Sequence, residues 1–186
     1  MTQTPLGTDV RMVQRDLSQT PAHALPAGHA MRPYREGDVS TWVRIQREAA
    51  EDLASIDAAT FVRSMPGDIA FLIPRVMFLV DPQGVDIGTI CAWNDDEFDG
   101  HDLGRIHWVA IVSSAQGRGL AKPMLASACD ALRQRGYTQA YLDTNTGLIP
   151  ALNLYAQFGF EPHPRNEEER LAWQAVAPQV KNLKNG

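Results

Sequence analysis

Cysteine is scarce in this chain: Cys91 and Cys129 are the two among 186 residues. They fall in a predicted strand and a predicted helix, where free buried thiols are common, so no disulfide framework is read and a reducing compartment is expected. No apolar run approaches the length that crosses a bilayer, and the N-terminus lacks a basic segment followed by an apolar one. A cytoplasmic protein with no membrane partner is the expectation. Positive charge is in deficit too, with 17 Lys and Arg against 22 Asp and Glu and a formal net charge of -5. That balance argues against nucleic acid or an anionic surface as a partner and leaves neutral or cationic small molecules as the easier ones. Tandem repeats and low-complexity tracts are also missing.

What is present is an ordinary globular composition, 44% hydrophobic and 21% charged, in a chain long enough for one domain with a sizeable core and an ordered extension. Its most informative stretch is residues 105–121. An apolar strand over 106–112 empties into a short polar turn, and Gln116-Gly117-Arg118-Gly119-Leu120-Ala121 opens a helix. Amides at such a helix start lack intrahelical partners and point one way, and the helix dipole adds to them a preference for negative charge. Gly117 and Gly119 carry no Cβ, so a diphosphate can approach the main chain closely. Spacing separates the candidate loops. Gly-x-Gly-x-x-Gly would need a third glycine where Lys122 stands, and no Gly-x-x-x-x-Gly-Lys-Ser/Thr surrounds that lysine. Gln/Arg-x-x-Gly-x-Gly/Ala is met by Gln116, Gly119 and Ala121.

The remaining elements follow from local signals. Residues 1–28, with Pro5, Pro21, Pro26 and Gly28, read as an N-terminal extension that lies over the domain or adds an edge contact; 29–165 read as the domain, and 166–186 as a C-terminal helix and tail. Met31-Arg32-Pro33-Tyr34 reads as a first strand whose proline suits an edge or strand end. Asp38 is placed to cap a helix with Trp42, Ile45, Ala49 and Leu53 on one face, and Asp57 a second, short helix ending at Pro66-Gly67. A hairpin over 76–80 and 87–93 builds the core sheet. Residues 94–102, with Asp95, Asp96, Glu97, Asp99 and Asp102, read as a polar link, either a solvated loop or an acidic mouth for an ammonium substrate. Leu120, Met124, Leu125, Ala128 and Leu132 stripe a long helix with Pro123 in its first turn and Gly136 at its end. A strand over 140–145 follows. Next come a helix with Ala151, Leu154, Tyr155 and Phe158 on one face, a left-handed cap at Gly159, a short strand over 160–163 and a terminal helix over 166–176.

Downstream of the glycine loop, Ala151-Leu152-Asn153-Leu154-Tyr155-Ala156-Gln157-Phe158-Gly159-Phe160 fits Ala-x-x-x-Tyr-x-x-x-Gly-Phe. The two motifs, in this order and separated by a helix and a strand, resemble the coenzyme A loop and the closing motif of the GNAT superfamily of acyl-CoA-dependent N-acetyltransferases. The resemblance implies an α/β (α+β) fold with a central mixed, mostly antiparallel sheet, flanked by helices, whose parallel central strands splay apart. It implies acetyl-CoA as co-substrate and no metal. Backbone groups near Ile111 and Val112 would meet the pantetheine arm, a strand N–H there would polarise the thioester carbonyl, and Gln116, Gly117, Arg118, Gly119, Leu120 and Ala121 would hold the pyrophosphate.

Periodicity alone makes Tyr155 a core tyrosine; the closing motif makes it the residue that serves the departing thiol, as a phenol of reference pKa about 10 beside a thiol near ~8.5. The proton acceptor for the attacking amine is open among His107, Asp143 and water. Strict alternation puts His107 on the face of Val109 and Ile111, and its reference pKa near ~6.5 suits proton pick-up. Two positions depart from the family pattern: Leu148, where many relatives carry Asn, and Ser113, where proline is usual. The implied function is acetyl transfer to a primary amine of a small molecule by direct attack in a ternary complex. A non-catalytic acyl-CoA sensor and a protein N-acetyltransferase are the rivals, and a homodimer is left open.

Overall fold

The computed structural model describes residues 7–50, 53–98 and 101–183. In chain order the elements are β1 (Asp9–Gln14), β2 (Ala30–Pro33), α1 (Val39–Ala49), α2 (Ala58–Ser64), α3 (Ile69–Leu72), β3 (Val76–Val80), β4 (Asp86–Phe98), β5 (His101–Ile111), α4 (Ala121–Gln134), β6 (Ala140–Asn145), α5 (Ile149–Gln157), β7 (Glu161–Pro162) and α6 (Glu167–Val176). The strands form one sheet in the order β2-β3-β4-β5-β6-β1-β7. Pairing is antiparallel for β1–β6, β1–β7, β2–β3 and β3–β4 and parallel for β5–β6. This is the mixed, mostly antiparallel α/β architecture expected. No helix among the described residues is long and apolar enough to cross a membrane.

The chain forms two compact units. The first comprises Met1–Pro21, Asn94–Arg105 and Gly136–Gly186, the second Ala22–Trp93 and Ile106–Arg135, so β4 and β5 each pass from one into the other.

In the first unit, β6 pairs along its whole length with β1, from Asp9↔Asn145 to Gln14↔Ala140. Its parallel ladder with β5 covers Gly104↔Ala140 and Arg105↔Tyr141. Residues 9–14, expected in an extension over the domain or against an edge, instead make a strand interior to the sheet, between β6 and β7. Burial explains it: Val10, Met12 and Val13 are buried, and the Arg11 guanidinium bonds Asp143 at 2.8 Å and lies over the Tyr141 ring. The expected polar link at 94–102 is corrected as well. β4 continues to Phe98 and β5 starts at His101, because Phe98 and Leu103 join a buried cluster with Val13 and Tyr141. Asp99 and the side chains of Asp95, Asp96, Glu97 and Asp102 lie outside what is described.

α5 buries Leu152, Tyr155 and Ala156, with Phe158 at its cap, whereas Ala151 and Leu154 are only half-buried. Gly159 closes the helix at φ +80°, as its position after Phe158 suggested. A Cβ there would also overlap the Gln14 side chain, whose Nε2 donates to Phe158 O at 2.5 Å. Gly159→Ala is therefore expected to lower stability by about 2–3 kcal/mol in urea unfolding, from a left-handed penalty plus overpacking. α6 is capped by Asn166 and buries Trp173 and Val176, while Leu171 stays exposed.

In the second unit β2 is an edge strand with Pro33 at its end, as expected. Asp38 stands at the start of α1 but makes no capping bond. Its carboxylate is held instead by Arg32 at 2.6 and 2.9 Å and by the Arg35 N–H at 2.7 Å, a charge-assisted set that outcompetes a neutral cap. α1 buries Trp42, Ile45 and Gln46 and stops at Ala49, so Leu53 falls outside it. Asp57 does cap α2, through a reciprocal box with Thr60. The stripe of α4 is buried as read, and Cys91 and Cys129 are free and buried.

Candidate functional site

The second unit carries the glycine loop. The Val112 N–H donates to Ile87 O on β4 at 2.9 Å, and Val112 O accepts from the Ala115 N–H at 2.9 Å. Strand amides alternate in direction, so the Ile111 N–H points away from β4. Val112, expected to meet the cofactor, uses its N–H and one lone pair of its carbonyl within the protein, and its side chain is buried. Ile111 keeps an outward amide, while its carbonyl accepts from Gln116 Nε2 at 2.8 Å.

Residues 113–115 then turn, and the main chain enters the left-handed region at Gly117 (φ +73°) and Gly119 (φ +77°). Among the described residues nothing lies within 4 Å of where a Cβ would sit on either. Glycine is required here by backbone geometry, and the space beside it is open. Alternating handedness of this kind turns successive N–H groups inward to a common point, an anion nest. The amides of Gly117, Arg118, Gly119 and Leu120 donate no hydrogen bond among the described residues, and Ala121 begins α4. These donors fit a diphosphate. The Leu120 side chain is buried and anchors the loop, while Arg118 braces it by donating to Ser114 O at 2.7 Å. The Gln116 side chain donates into the protein, to Ala49 O at 2.9 Å as well as to Ile111 O.

Trp108 in β5 has φ +51°, a conformation costing roughly 1–2 kcal/mol in an L-residue. Its ring meets Trp42 edge-on at 4.9 Å, and Trp42 in turn meets Phe61 at 5.2 Å. Gln46, only 1% exposed, places Nε2 at 3.5 Å from Trp108 O, a long contact. A left-handed residue disturbs the pleat locally, as in a β-bulge, yet Ile106, Ala110 and Val112 are buried while His107, Val109 and Ile111 are half-buried, the separation that alternation predicts. The His107 ring is half-buried, 5.4 Å from that of Trp108. Nothing in the sequence marks a tryptophan for this conformation; β-propensity marks it for the opposite one.

The first unit carries Tyr155. It is 7% exposed on α5, edge-on to Phe160 at 6.1 Å, and burial pushes its phenol up to about 12. Leu148, just before α5, exposes an apolar side chain and brings no polar group. Asp143 is the hub of an ion-pair cluster, bonded by Arg11 at 2.8 and 3.1 Å and by Arg105 at 3.1 Å, with Arg165 at 3.8 Å. Both its oxygens are engaged by guanidinium groups, which is the arrangement of a structural carboxylate.

The sequence profile described as Acetyltransferase (GNAT) family matches residues 42–160. The chain belongs to that family. The GNAT chain is 30% identical over 146 residues to a protein named mycothiol acetyltransferase from Thermomonospora curvata, covering 77% of this chain and 48% of that one. It is 28% identical over 109 residues to an Escherichia coli protein named Uncharacterized N-acetyltransferase YjgM, covering 58% of this chain and 59% of the other. It spans about half the length of three mycothiol acetyltransferases it matches. Among solved structures, a GCN5-related N-acetyltransferase from Sphaerobacter thermophilus superposes with a TM-score of 0.67 at 22% identity, over 86% of this chain and 50% of that one. A tandem GNAT protein from the clavulanic acid biosynthesis pathway does so with a TM-score of 0.61 at 15% identity, over 86% and 51%. At these identities the likeness is one of fold.

Proposed function

We propose that this GNAT chain transfers the acetyl group of acetyl-CoA to a primary amine of a small molecule, both substrates being bound together. The observation that carries the reading is the glycine loop directly after β5, with two left-handed glycines and four amides that donate to nothing among the described residues. The thioester supplies an activated acyl group, so the protein's task is orientation and charge stabilisation. The amides of Gly117, Arg118, Gly119 and Leu120 bind the diphosphate, helped by the start of α4. The Ile111 N–H donates to the thioester oxygen as negative charge grows there. His107 takes the proton that the amine loses.

Tyr155 donates a hydrogen bond to the departing sulfur. With a phenol near 12 and a thiol near ~8.5, full proton transfer is uphill, and a neutral donor is what burial preserves. Names among the relatives favour a small-molecule acceptor over a protein. Calorimetry with acetyl-CoA is expected to show one-site binding. Thiol release in the presence of polyamines, amino acids and aminoglycosides is expected to reveal an acceptor. Absence of heat would remove the reading, and binding without turnover across a broad panel would replace it with a sensor.

A further inference from the structure

Trp108 is exceptional on two counts. It shares the parity of Ile106, Ala110 and Val112, which are buried, yet it is half-buried like its neighbours His107 and Val109. It also holds φ at +51°, a left-handed value that a tryptophan keeps only where its surroundings impose it. Those surroundings are aromatic. Trp108 meets Trp42 of α1 edge-on at 4.9 Å, Trp42 meets Phe61 of α2 edge-on at 5.2 Å, and Phe61 stacks on Tyr34, directly after β2, at 5.8 Å. All four rings belong to the second compact unit; Trp42, Phe61 and Tyr34 are buried, and Trp108 is the end of the row that reaches solvent. The Trp108 Nε1 is buried and bonded to nothing among the described residues, so whatever part of the ring is exposed is carbon. A strained residue, backed by buried rings and presenting carbon, thus stands on the strand that leads into the glycine loop.

We propose that Trp108 is the specificity-determining residue for the acyl group, its ring closing the acyl end of the cofactor site so that acetyl fits and longer chains do not. The proposal rests on the reading of the glycine loop as the acetyl-CoA site. On that reading the thioester oxygen lies at the Ile111 N–H and the proton acceptor is His107, so the reacting acyl group sits along β5 between them. Trp108 falls inside that interval. The chemistry matches: the substituent on an acetyl carbonyl is a methyl, with nothing to hydrogen-bond, and the wall offers carbon with its polar atom hidden. The amine is polar and neutral when it attacks, so neither a hydrogen bond nor cation attraction draws it to this ring. Rigidity supplies the discrimination. A ring braced by a row of buried aromatic neighbours does not swing aside, and an added methylene meets filled volume.

Calorimetry on the full chain with coenzyme A, acetyl-CoA, butyryl-CoA and hexanoyl-CoA tests this, since binding needs no known acceptor. The wild type is expected to bind coenzyme A and acetyl-CoA within about threefold of each other, and hexanoyl-CoA at least about tenfold more weakly than acetyl-CoA. Trp108→Gly accepts φ +51° without strain and removes the wall. It is expected to keep coenzyme A affinity within about threefold of wild type and to bind hexanoyl-CoA at least as tightly as acetyl-CoA. Trp108→Phe keeps a smaller ring and is expected to admit butyryl-CoA while still disfavouring hexanoyl-CoA; it carries the test if the glycine variant loses coenzyme A binding. The ratio of hexanoyl to acetyl affinity is taken within each variant, so a general loss of stability does not move it. A wild type that binds coenzyme A and every acyl form alike overturns the wall and leaves the loop assignment intact. So does a ratio unchanged from wild type in the variants. A wild type that fails to bind coenzyme A removes the loop assignment, and the wall with it.

Discussion

Replacing Tyr155 by phenylalanine is expected to lower kcat about a hundredfold while changing acetyl-CoA affinity less than about threefold. The substitution removes one oxygen and no packing. The ring on α5 keeps its edge-on contact with Phe160, and the hydroxyl makes no hydrogen bond among the described residues, so thermal stability should barely move. In the proposed role, what is lost is a donor to charge that appears only as the carbon–sulfur bond breaks. Because burial lifts the phenol to about 12, it stays protonated from neutral pH to about 10. Linked to that is a pH profile in which the wild-type rate, measured to pH 10 on a stable acceptor, shows no falling basic limb from this residue. A parallel loss of turnover and acetyl-CoA binding in Tyr155→Phe would assign the hydroxyl to architecture.

Gly119→Val is expected to weaken acetyl-CoA binding at least tenfold, and by as much as about a hundredfold, with the fold intact. Among the described residues nothing beyond the chain neighbours lies within 4 Å of a Cβ placed at Gly119, so the expected effect is conformational. At φ +77° a residue with a Cβ is strained by roughly 1–2 kcal/mol, and a β-branched one by more. The loop relaxes by turning its amides away from their common point, which converts strain into lost affinity. Gly136→Val supplies the control. Gly136 is equally left-handed at φ +91° and equally open, but it follows the end of α4. It is expected to lower Tm without altering the dissociation constant. Similar dissociation constants for Gly119→Val and the wild type would show that these amides do not hold the diphosphate.

Features whose cause is local were legible in the chain. Pro33 ends an edge strand because it lacks a donor, Asp57 caps a helix three residues ahead of Thr60, and Gly136 and Gly159 sit where helices need a left-handed stop. The glycine loop belongs to the same class, since the spacing of Gln116, Gly119 and Ala121 after a strand carries its geometry within a few residues. Features with distant partners were not legible. β1 has a weak strand pattern, and its place came from β6, more than a hundred residues away. Asp38 has the right residue type and position for a cap but yields its carboxylate to Arg32, which also bonds Asp86. The acidic stretch after Trp93 is polar enough to be a loop, yet Phe98 and Leu103 find Val13 and Tyr141 and hold it in strands.

Composition and two short motifs were enough to give the family, the fold class and the geometry of the glycine loop, because amide direction at a helix start and glycine handedness depend on neighbours in sequence. Packing at long range decided the rest: that Trp108 is left-handed against Trp42, that the Val112 N–H goes to Ile87 O, and that Gln116 donates to Ala49 O, 67 residues earlier, as well as to nearby Ile111 O. Such outcomes turn on which groups meet in space and on the relative strength of competing hydrogen bonds, and neither quantity is written in the spacing of residues along a chain.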